Sequence, residues 1–427
     1  MTSRRVATLS ILAAALALLT VTAAAPAGAP PSTGFWPQWR GPLGTGEAPT
    51  ADPPLEWSED KNVRWKTEVP GRGKSSPIVW GDLVFVTTAV PAAGSSQDFV
   101  VLAVGRGDGK VRWQRTVRTL VPHEGTHKDG TFASGSAITD GERLYAFFGS
   151  RGLYALDLSG RVLWEKDLGR MSTRMGFGEG SSPALFGDTL VVTWDHEGRD
   201  FIAGLDAKTG RERWRNDQRD EPTSWATPLV VVHDGKPQVV TNATNRVRSY
   251  DLATGTLLWE AGGMTANVIP SPVSADGMVY VASGFRGNAL LAIRLAAARG
   301  DVTGTPAVAW SYDRDTPYVP SPLLYRDGLY FLKSNSAVLT RLEARTGKPS
   351  YTERLAGMSN VYASPVAAAG RVYVAGRDGV TAVLDAGPQL KVLATNVLAD
   401  GFDASPALVD GEIYLRGYKY LYRLSRN

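Results

Sequence analysis

The chain of 427 residues contains no cysteine. That absence excludes disulfides, zinc–thiolate sites, covalent haem attachment, a cysteine nucleophile and a lipid-anchored N-terminal cysteine. Neither sign of charge dominates: 46 Lys and Arg stand against 42 Asp and Glu, and the two arginines at positions 4 and 5 account for half of the formal net charge of +4. Acid and base are interspersed, which argues against nucleic acid or an anionic membrane surface as a partner. Long apolar runs are missing too, with one exception. Val6 to Val21 follows Arg4-Arg5 and precedes Ala23-Ala24-Ala25. Its 16 residues are short for a membrane span and suit a secretory signal over residues 1–25. Ser3-Arg4-Arg5 hints at twin-arginine export, but the apolar residues that normally follow directly are absent, so a plain Sec signal is expected. The mature protein is then periplasmic or secreted, with no transmembrane segment.

What the chain does contain is a repeated unit. Ser181 to Trp214 reads as four short strands: an apolar run after Ser181-Ser182-Pro183, a Gly187-Asp188 turn into Thr189–Thr193, a third strand Phe201–Asp206, and a fourth carrying Trp214 after Thr209-Gly210. Four antiparallel strands of this length make one propeller blade. The small-residue opening recurs eight times, at Ser76, Ser136, Ser182, Thr227, Ser271, Ser321, Ser364 and Ser405, with spacings of 41 to 60 residues. A tight turn follows each, most often Asp-Gly, the expected hairpin signal. An outer-strand aromatic recurs as well: Trp113, Trp164, Trp214, Trp259 and Trp310 serve the first five blades, Tyr351 the sixth, and Leu393 takes the place in the seventh. The eighth runs out at Asn427 without one, whereas Asn62-Val63-Arg64-Trp65-Lys66 carries a tryptophan with no preceding strands of its own. The N-terminal strand is therefore expected to complete the last blade and leave no sheet edge open at the seam. The predicted fold is all-β, an eight-bladed propeller over residues 62–427. Residues 26–61 form a Pro/Ala spacer and a leader holding Trp36, Trp39 and Trp57, expected to wrap an outer surface or plug one face, the alternative being an aromatic ligand platform.

Gly204-Leu205-Asp206-Ala207-Lys208-Thr209-Gly210-Arg211-Glu212-Arg213-Trp214 resembles the docking repeat of quinoprotein propellers, and Ser249 to Trp259 and Ala155 to Trp164 repeat it. The chain is similar to the secreted bacterial PQQ-binding-like β-propeller repeat proteins. That resemblance implies a fold shared by quinoprotein dehydrogenases, which bind pyrroloquinoline quinone and calcium, and by the assembly scaffold BamB. This sequence departs from both. It lacks the vicinal cysteines and a recognisable calcium-ligand and base constellation of the former, and the lipobox cysteine of the latter.

Strand direction places the loops that lead into each blade, and those joining its second and third strands, together on one face, here called upper. The first-to-second and third-to-fourth turns lie below. The upper loops carry charged, amide and aromatic side chains, and His123, His127, Asp195, His196, Glu197, Trp225, Arg286, Tyr318, Asn335, Arg377, Asp378 and Asp403 are the candidate ligand-binding set around the axial mouth. His123, His127 and His196 with Asp195, Glu197 or Asp129 could surround a divalent metal, or simply tie loops together. Trp225 could stack on a quinone, sugar or peptide, or wedge between blades. No nucleophile–base–orienter set can be assembled from spacing alone. The leading expectation is a monomeric, non-catalytic binding or scaffold propeller for a protein, peptide or glycan partner, with no cofactor. The alternative is a quinone-dependent alcohol or aldose dehydrogenase.

Overall fold

The computed structural model describes residues 34–217 and 222–426, so the expected signal peptide and the Pro/Ala spacer of residues 26–33 lie outside the described residues. The repeats form eight antiparallel sheets arranged as the blades of one closed propeller. In the third blade Ala184–Phe186, Thr189–Trp194, Phe201–Asp206 and Glu212–Asn216 pair in sequence order, with Val191 opposite Gly204. Among the described residues the only helical pieces are three single turns, Gly149–Arg151, Arg174–Gly176 and Leu295–Ala297.

The middle strands are apolar on both sides because each blade is sandwiched between two others. In Arg143–Phe147, Leu144 and Ala146 join a cluster with the first blade, whereas Tyr145 and Phe147 join one with the third. Alternation along the strand thus divides its side chains between neighbours. The core is a series of such layers between blades, and the largest spans the seam between the last blades and the first.

Docking between blades follows one rule. The outer-strand tryptophan donates its indole N–H to a carbonyl in the third-to-fourth turn of the next blade: Trp113 to Leu158 at 2.9 Å, Trp164 to Ala207 at 3.0 Å, Trp214 to Leu252 at 2.8 Å and Trp310 to Ala344 at 3.0 Å. The glycine of that turn lies flat on the ring. A Cβ on Gly210 would sit 2.8 Å from Trp164, and its φ of +70° already favours glycine. Trp259 departs from the rule and bonds Gln238 of its own blade at 2.9 Å. The reason lies in the fifth blade, where the Thr-Gly turn is replaced by a longer excursion. There Gly300–Asp301 adds to the fourth blade as a fifth, parallel strand, and Leu295, Ala298 and Val302 pack on the indole.

The N-terminal strand Val63–Glu68 pairs with Tyr420–Ser425 and completes the eighth blade, with Trp65 opposite Arg423. Trp65 obeys the docking rule across the seam, donating to Arg106 of the first blade at 3.0 Å. The leader before it crosses the lower face. Trp36 bridges to Val79 of the first blade's inner strand, Glu47 to Ala367 of the seventh, and the Trp57 N–H meets Asn396 at 2.8 Å. Arg40 turns inward beneath the axis and donates to the carbonyls of Pro365, Pro322 and Thr45 at 2.8–3.1 Å. Its complete burial lowers the guanidinium pKa, and the three carbonyls offset part of the desolvation.

Candidate functional site

A collar of hydroxyls surrounds the axis. Each blade's opening Ser or Thr sends its backbone N–H to the hydroxyl of the next blade: Ser76 to Ser136, Ser136 to Ser182, Ser182 to Thr227, Thr227 to Ser271, Ser271 to Ser321, Ser321 to Ser364 and Ser364 to Ser405, at 2.8–3.0 Å. Ser405 closes the circle on Ser76 at 2.9 Å. Every hydroxyl in this ring accepts a backbone donor, and none donates to a protein acceptor among the described residues. Six of the eight line an axial cavity of about 410 Å³.

Two residues before each collar position lies a second tier: Lys74, Ser134, Gly180, Trp225, Ile269, Val319, Tyr362 and Asp403, all of which line the cavity. The spacing of two brings successive side chains of an extended segment to the same side. Trp39, carried by the leader, forms the floor and donates to Ser405 at 3.3 Å. The cavity is thus closed from below and open above.

Its two sides differ in chemistry. On one, Lys74 and Arg377 meet Asp403 and Asp129: Arg377 bridges both carboxylates at 2.9 Å, and Lys74 pairs with Asp403 and donates to the Asp129 carbonyl. The Arg377 guanidinium stacks 4.2 Å from the centre of Tyr362. Two cations and two anions cancel. Burial would raise the Asp129 carboxyl, but Arg377, Lys74 and His127 outweigh it and hold it below the usual range. His127 lies 3.7 Å from Asp129 and edge-on to Phe177. The opposite side is aromatic and apolar. Phe285 stacks on Tyr318 with centroids 4.9 Å apart, and half-buried Trp225 is fixed by its indole N–H to the Gly178 carbonyl at 2.7 Å. A second, smaller cavity of about 20 Å³ shares Ser134, Gly178, Glu179, Gly180 and Trp225 with the first and is lined in part by Asp195. Burial pushes the Asp195 carboxyl up to about 6, against the opposing hydrogen bond from Ser224.

Of the candidate residues, His127, Trp225, Tyr318 and Asp403 line the axial cavity, and Arg377 reaches it through Asp129, Asp403 and Tyr362. The others do not converge there. His123 is exposed and bonds the Met171 carbonyl at 2.7 Å. His196 is buried, ties its own loop through Gly198 and Arg199 and accepts from the Ser172 N–H of the loop leading into the blade, while Glu197 accepts from Thr223. Asn335 accepts from the Val319 N–H, and Asp378 from Ser359. Arg286 is exposed beside Phe285. These are loop-to-loop anchors, Asp195 among them through Ser224, with the exception of Arg286, turned to solvent.

The three histidines named for a metal are likewise not brought together. Among the described residues the one grouping with metal-ligand proximity is His123, Glu124 and Glu179. Each already has protein partners: Met171 for His123, Thr173 for Glu124, and Arg151 at 2.7 Å for Glu179. Lys74, Phe177, Phe285, Tyr362 and Trp39 complete the cavity wall beyond the candidate set. The signal that finds two of them, Lys74 and Tyr362, is register within the repeat, two residues before the collar.

Eight blades built on four antiparallel strands, the fourth with an added parallel one, tryptophan docking on a glycine turn and closure by the N-terminal strand define a propeller of the quinoprotein type. Within that class the chain belongs to the family of outer membrane protein assembly factor BamB, which it matches over residues 55–203, 159–261 and 198–427. BamB of Burkholderia pseudomallei (strain K96243) is 27% identical over 213 residues, 47% of this chain and 48% of that protein. The serine/threonine-protein kinase AfsK of Streptomyces griseus is 30% identical over 190 residues, 40% of this chain and 21% of the kinase. The matches thus span about half of one relative and a fifth of the other. Among solved structures, BamB from Moraxella catarrhalis superposes with a TM-score of 0.55 at 15% identity, covering 85% of this chain and 99% of that one. The quinohemoprotein alcohol dehydrogenase from Comamonas testosteroni reaches 0.62 at 11% identity, covering 92% and 80%. At such identities the likeness is one of fold. No helix among the described residues is long and apolar enough to cross a membrane.

Proposed function

We propose that this protein is an exported, non-catalytic binding propeller that recognises a protein, peptide or glycan partner by seating one uncharged, oxygen-rich group of it in the axial cavity. The observation that carries this reading is the lining itself: an aromatic side, an ion cluster whose charges cancel, and a collar of hydroxyls whose protons have no protein acceptor. Such a cavity offers stacking surface and hydrogen-bond donors, and it offers no net field to attract an ion. Membership of the BamB family supports a scaffold role.

The chemistry of the donors argues against the quinone reading. Pyrroloquinoline quinone carries three carboxylates, and its calcium partner takes six or more oxygen ligands. Lys74 and Arg377 are both engaged by Asp403 and Asp129, and Glu179 by Arg151. The cavity has neither excess cation for the quinone nor uncommitted carboxylates for the metal, so the residues present do not fit the pair. Among the described residues, no histidine accepts a hydrogen bond from a hydroxyl, the geometry an activated nucleophile needs. Adding the quinone and calcium chloride to the purified chain tests the choice. The expected result is no stoichiometric chromophore and no dye reduction with alcohols or aldoses; a stoichiometric chromophore with turnover overturns it.

A further inference from the structure

The axial cavity is a dead end: Trp39 floors it and its mouth is above, so a polymeric partner reaches the base by an end or by a tight turn. Its volume of about 410 Å³ is near the lower limit for ligand sites, roughly 300–1,000 Å³, and admits only the tip of a chain. The base asks for acceptors. Each collar hydroxyl already accepts a backbone N–H and keeps a proton to donate, and six of the eight reach the cavity. On the ionic side one donor and one acceptor are left, side by side. The Lys74 ammonium gives protons to Asp403 and to the Asp129 main-chain carbonyl and has a third. Asp129 Oδ1 is taken by Arg377 at 2.9 Å, whereas its Oδ2 has only the Tyr362 hydroxyl at 3.5 Å and His127 Nδ1 at 3.7 Å. The Asp403 side chain is buried, with both oxygens engaged by Arg377 and Lys74.

We propose that the axial cavity holds the non-reducing terminal ring of a neutral glycan, two adjacent hydroxyls of that ring spanning Lys74 Nζ and Asp129 Oδ2 and its apolar face lying on the side of Trp225 and Tyr318. This rests on the axial binding reading above and narrows its three partner classes to one. A hydroxyl accepts and donates at once, so adjacent hydroxyls of a sugar match an ammonium beside a carboxylate. The remaining ring oxygens accept from the collar. One face of a pyranose presents C–H groups, which suit the aromatic side. A peptide fits worse on two counts. Its end brings an ammonium or a carboxylate that the cancelled charges do not compensate, and a turn brings backbone N–H donors to a base whose hydroxyls have each accepted one already.

The test is a printed array of glycans with neutral hexose and N-acetylhexosamine termini, probed with the full chain, followed by calorimetry on the hits and on N-acetylated, C-amidated peptides. A neutral terminus is expected to bind, with the trisaccharide and hexasaccharide of one series equal within about twofold because only the tip enters. Removing one of the terminal ring's adjacent hydroxyls should weaken binding at least about tenfold, and a bulky label at the reducing end should change nothing. Asp129→Asn should weaken the parent sugar at least about tenfold and that deoxy sugar no further, a coupling that a merely structural role for Asp129 would not give. The ligand series is read on the unaltered protein, so it decides even where the variant does not fold. Affinity that grows with chain length, tolerance of changes at the terminal ring, or no glycan bound overturns the proposal. Capped peptides that bind instead, and are weakened by Trp225→Ala, overturn the glycan and keep the axial reading. Binding that Trp225→Ala leaves unchanged overturns both.

Discussion

The backbone N–H of Ser405 donates to Ser76 Oγ at 2.9 Å across the seam between the eighth and first blades. That contact turns a linear series of repeats into a closed hydroxyl collar, because the other seven members are linked in the same way. Ser76→Ala should therefore leave the Ser405 N–H buried without an acceptor and cost about 1–3 kcal/mol in urea unfolding. Ser76→Thr, which reproduces the hydroxyl that Thr227 supplies in the fourth blade, should restore most of it.

The docking rule makes a paired prediction. Trp214→Ala removes a buried indole and its bond to Leu252, and should cost about 3–5 kcal/mol. Gly255→Ala attacks the same joint from the other side, since φ is +70° and a Cβ would lie 2.3 Å from the Trp214 ring. It should cost more than about 1 kcal/mol, and the double variant should cost less than the sum, because both changes act on one contact.

The N-terminal strand holds the seam. Deleting Asn62 to Lys66 removes most of the pairing with Tyr420–Ser425 and should lower Tm far more than deleting Pro26 to Thr33. Arg40→Met tests the leader separately. It leaves the carbonyls of Pro365, Pro322 and Thr45 without their donor and should destabilise by about 1–3 kcal/mol, measured by denaturant unfolding.

Acid stability has a local source in the lower turns. Arg213 and Thr209 hold the Asp206 carboxyl at about 2, below its ordinary value of 3.8. A depressed carboxylate contributes stability above its unfolded pKa and loses it as pH falls through the folded one, here between about pH 4 and pH 2. The group is partly exposed, so the contribution is under about 1 kcal/mol after screening. Asp206→Asn should lower stability by that small amount above pH 5, meet the parent below about pH 2, and so flatten the curve in between.

The fold was legible because each blade repeats the same physical demands: a turn glycine, an apolar pair of middle strands and an outer aromatic that must be buried. Trp65 without strands of its own and a last blade without a tryptophan were enough to place the seam. The site was legible only in part. Residue type drew attention to His196 and Glu197, but polar loop residues also serve as anchors, and both are consumed by neighbouring loops. Position within the repeat was the better guide. Lys74, Tyr362 and Asp403 stand in the same register as Trp225, two before the collar, and the collar residue itself was visible in every repeat. Trp39 could not be placed that way, since it comes from a segment outside the repeat. The fifth strand Gly300–Asp301 was hidden for a similar reason, lying in an excursion with no counterpart in other blades.

Binding in the axial cavity is the central claim, and ligand affinity in paired variants measures it most directly. A panel of neutral oligosaccharides and uncharged peptides is first screened on the full chain by thermal shift, and hits are titrated by calorimetry. Trp225→Ala and Tyr318→Ala should each weaken binding at least tenfold while leaving Tm nearly unchanged, because half-buried residues lining an open cavity carry little of the fold. Asp234→Ala and Asp276→Ala, in lower turns away from the cavity, should leave affinity as it is. The reverse pattern, with binding lost in the lower-turn variants and kept in the cavity variants, would contradict the account.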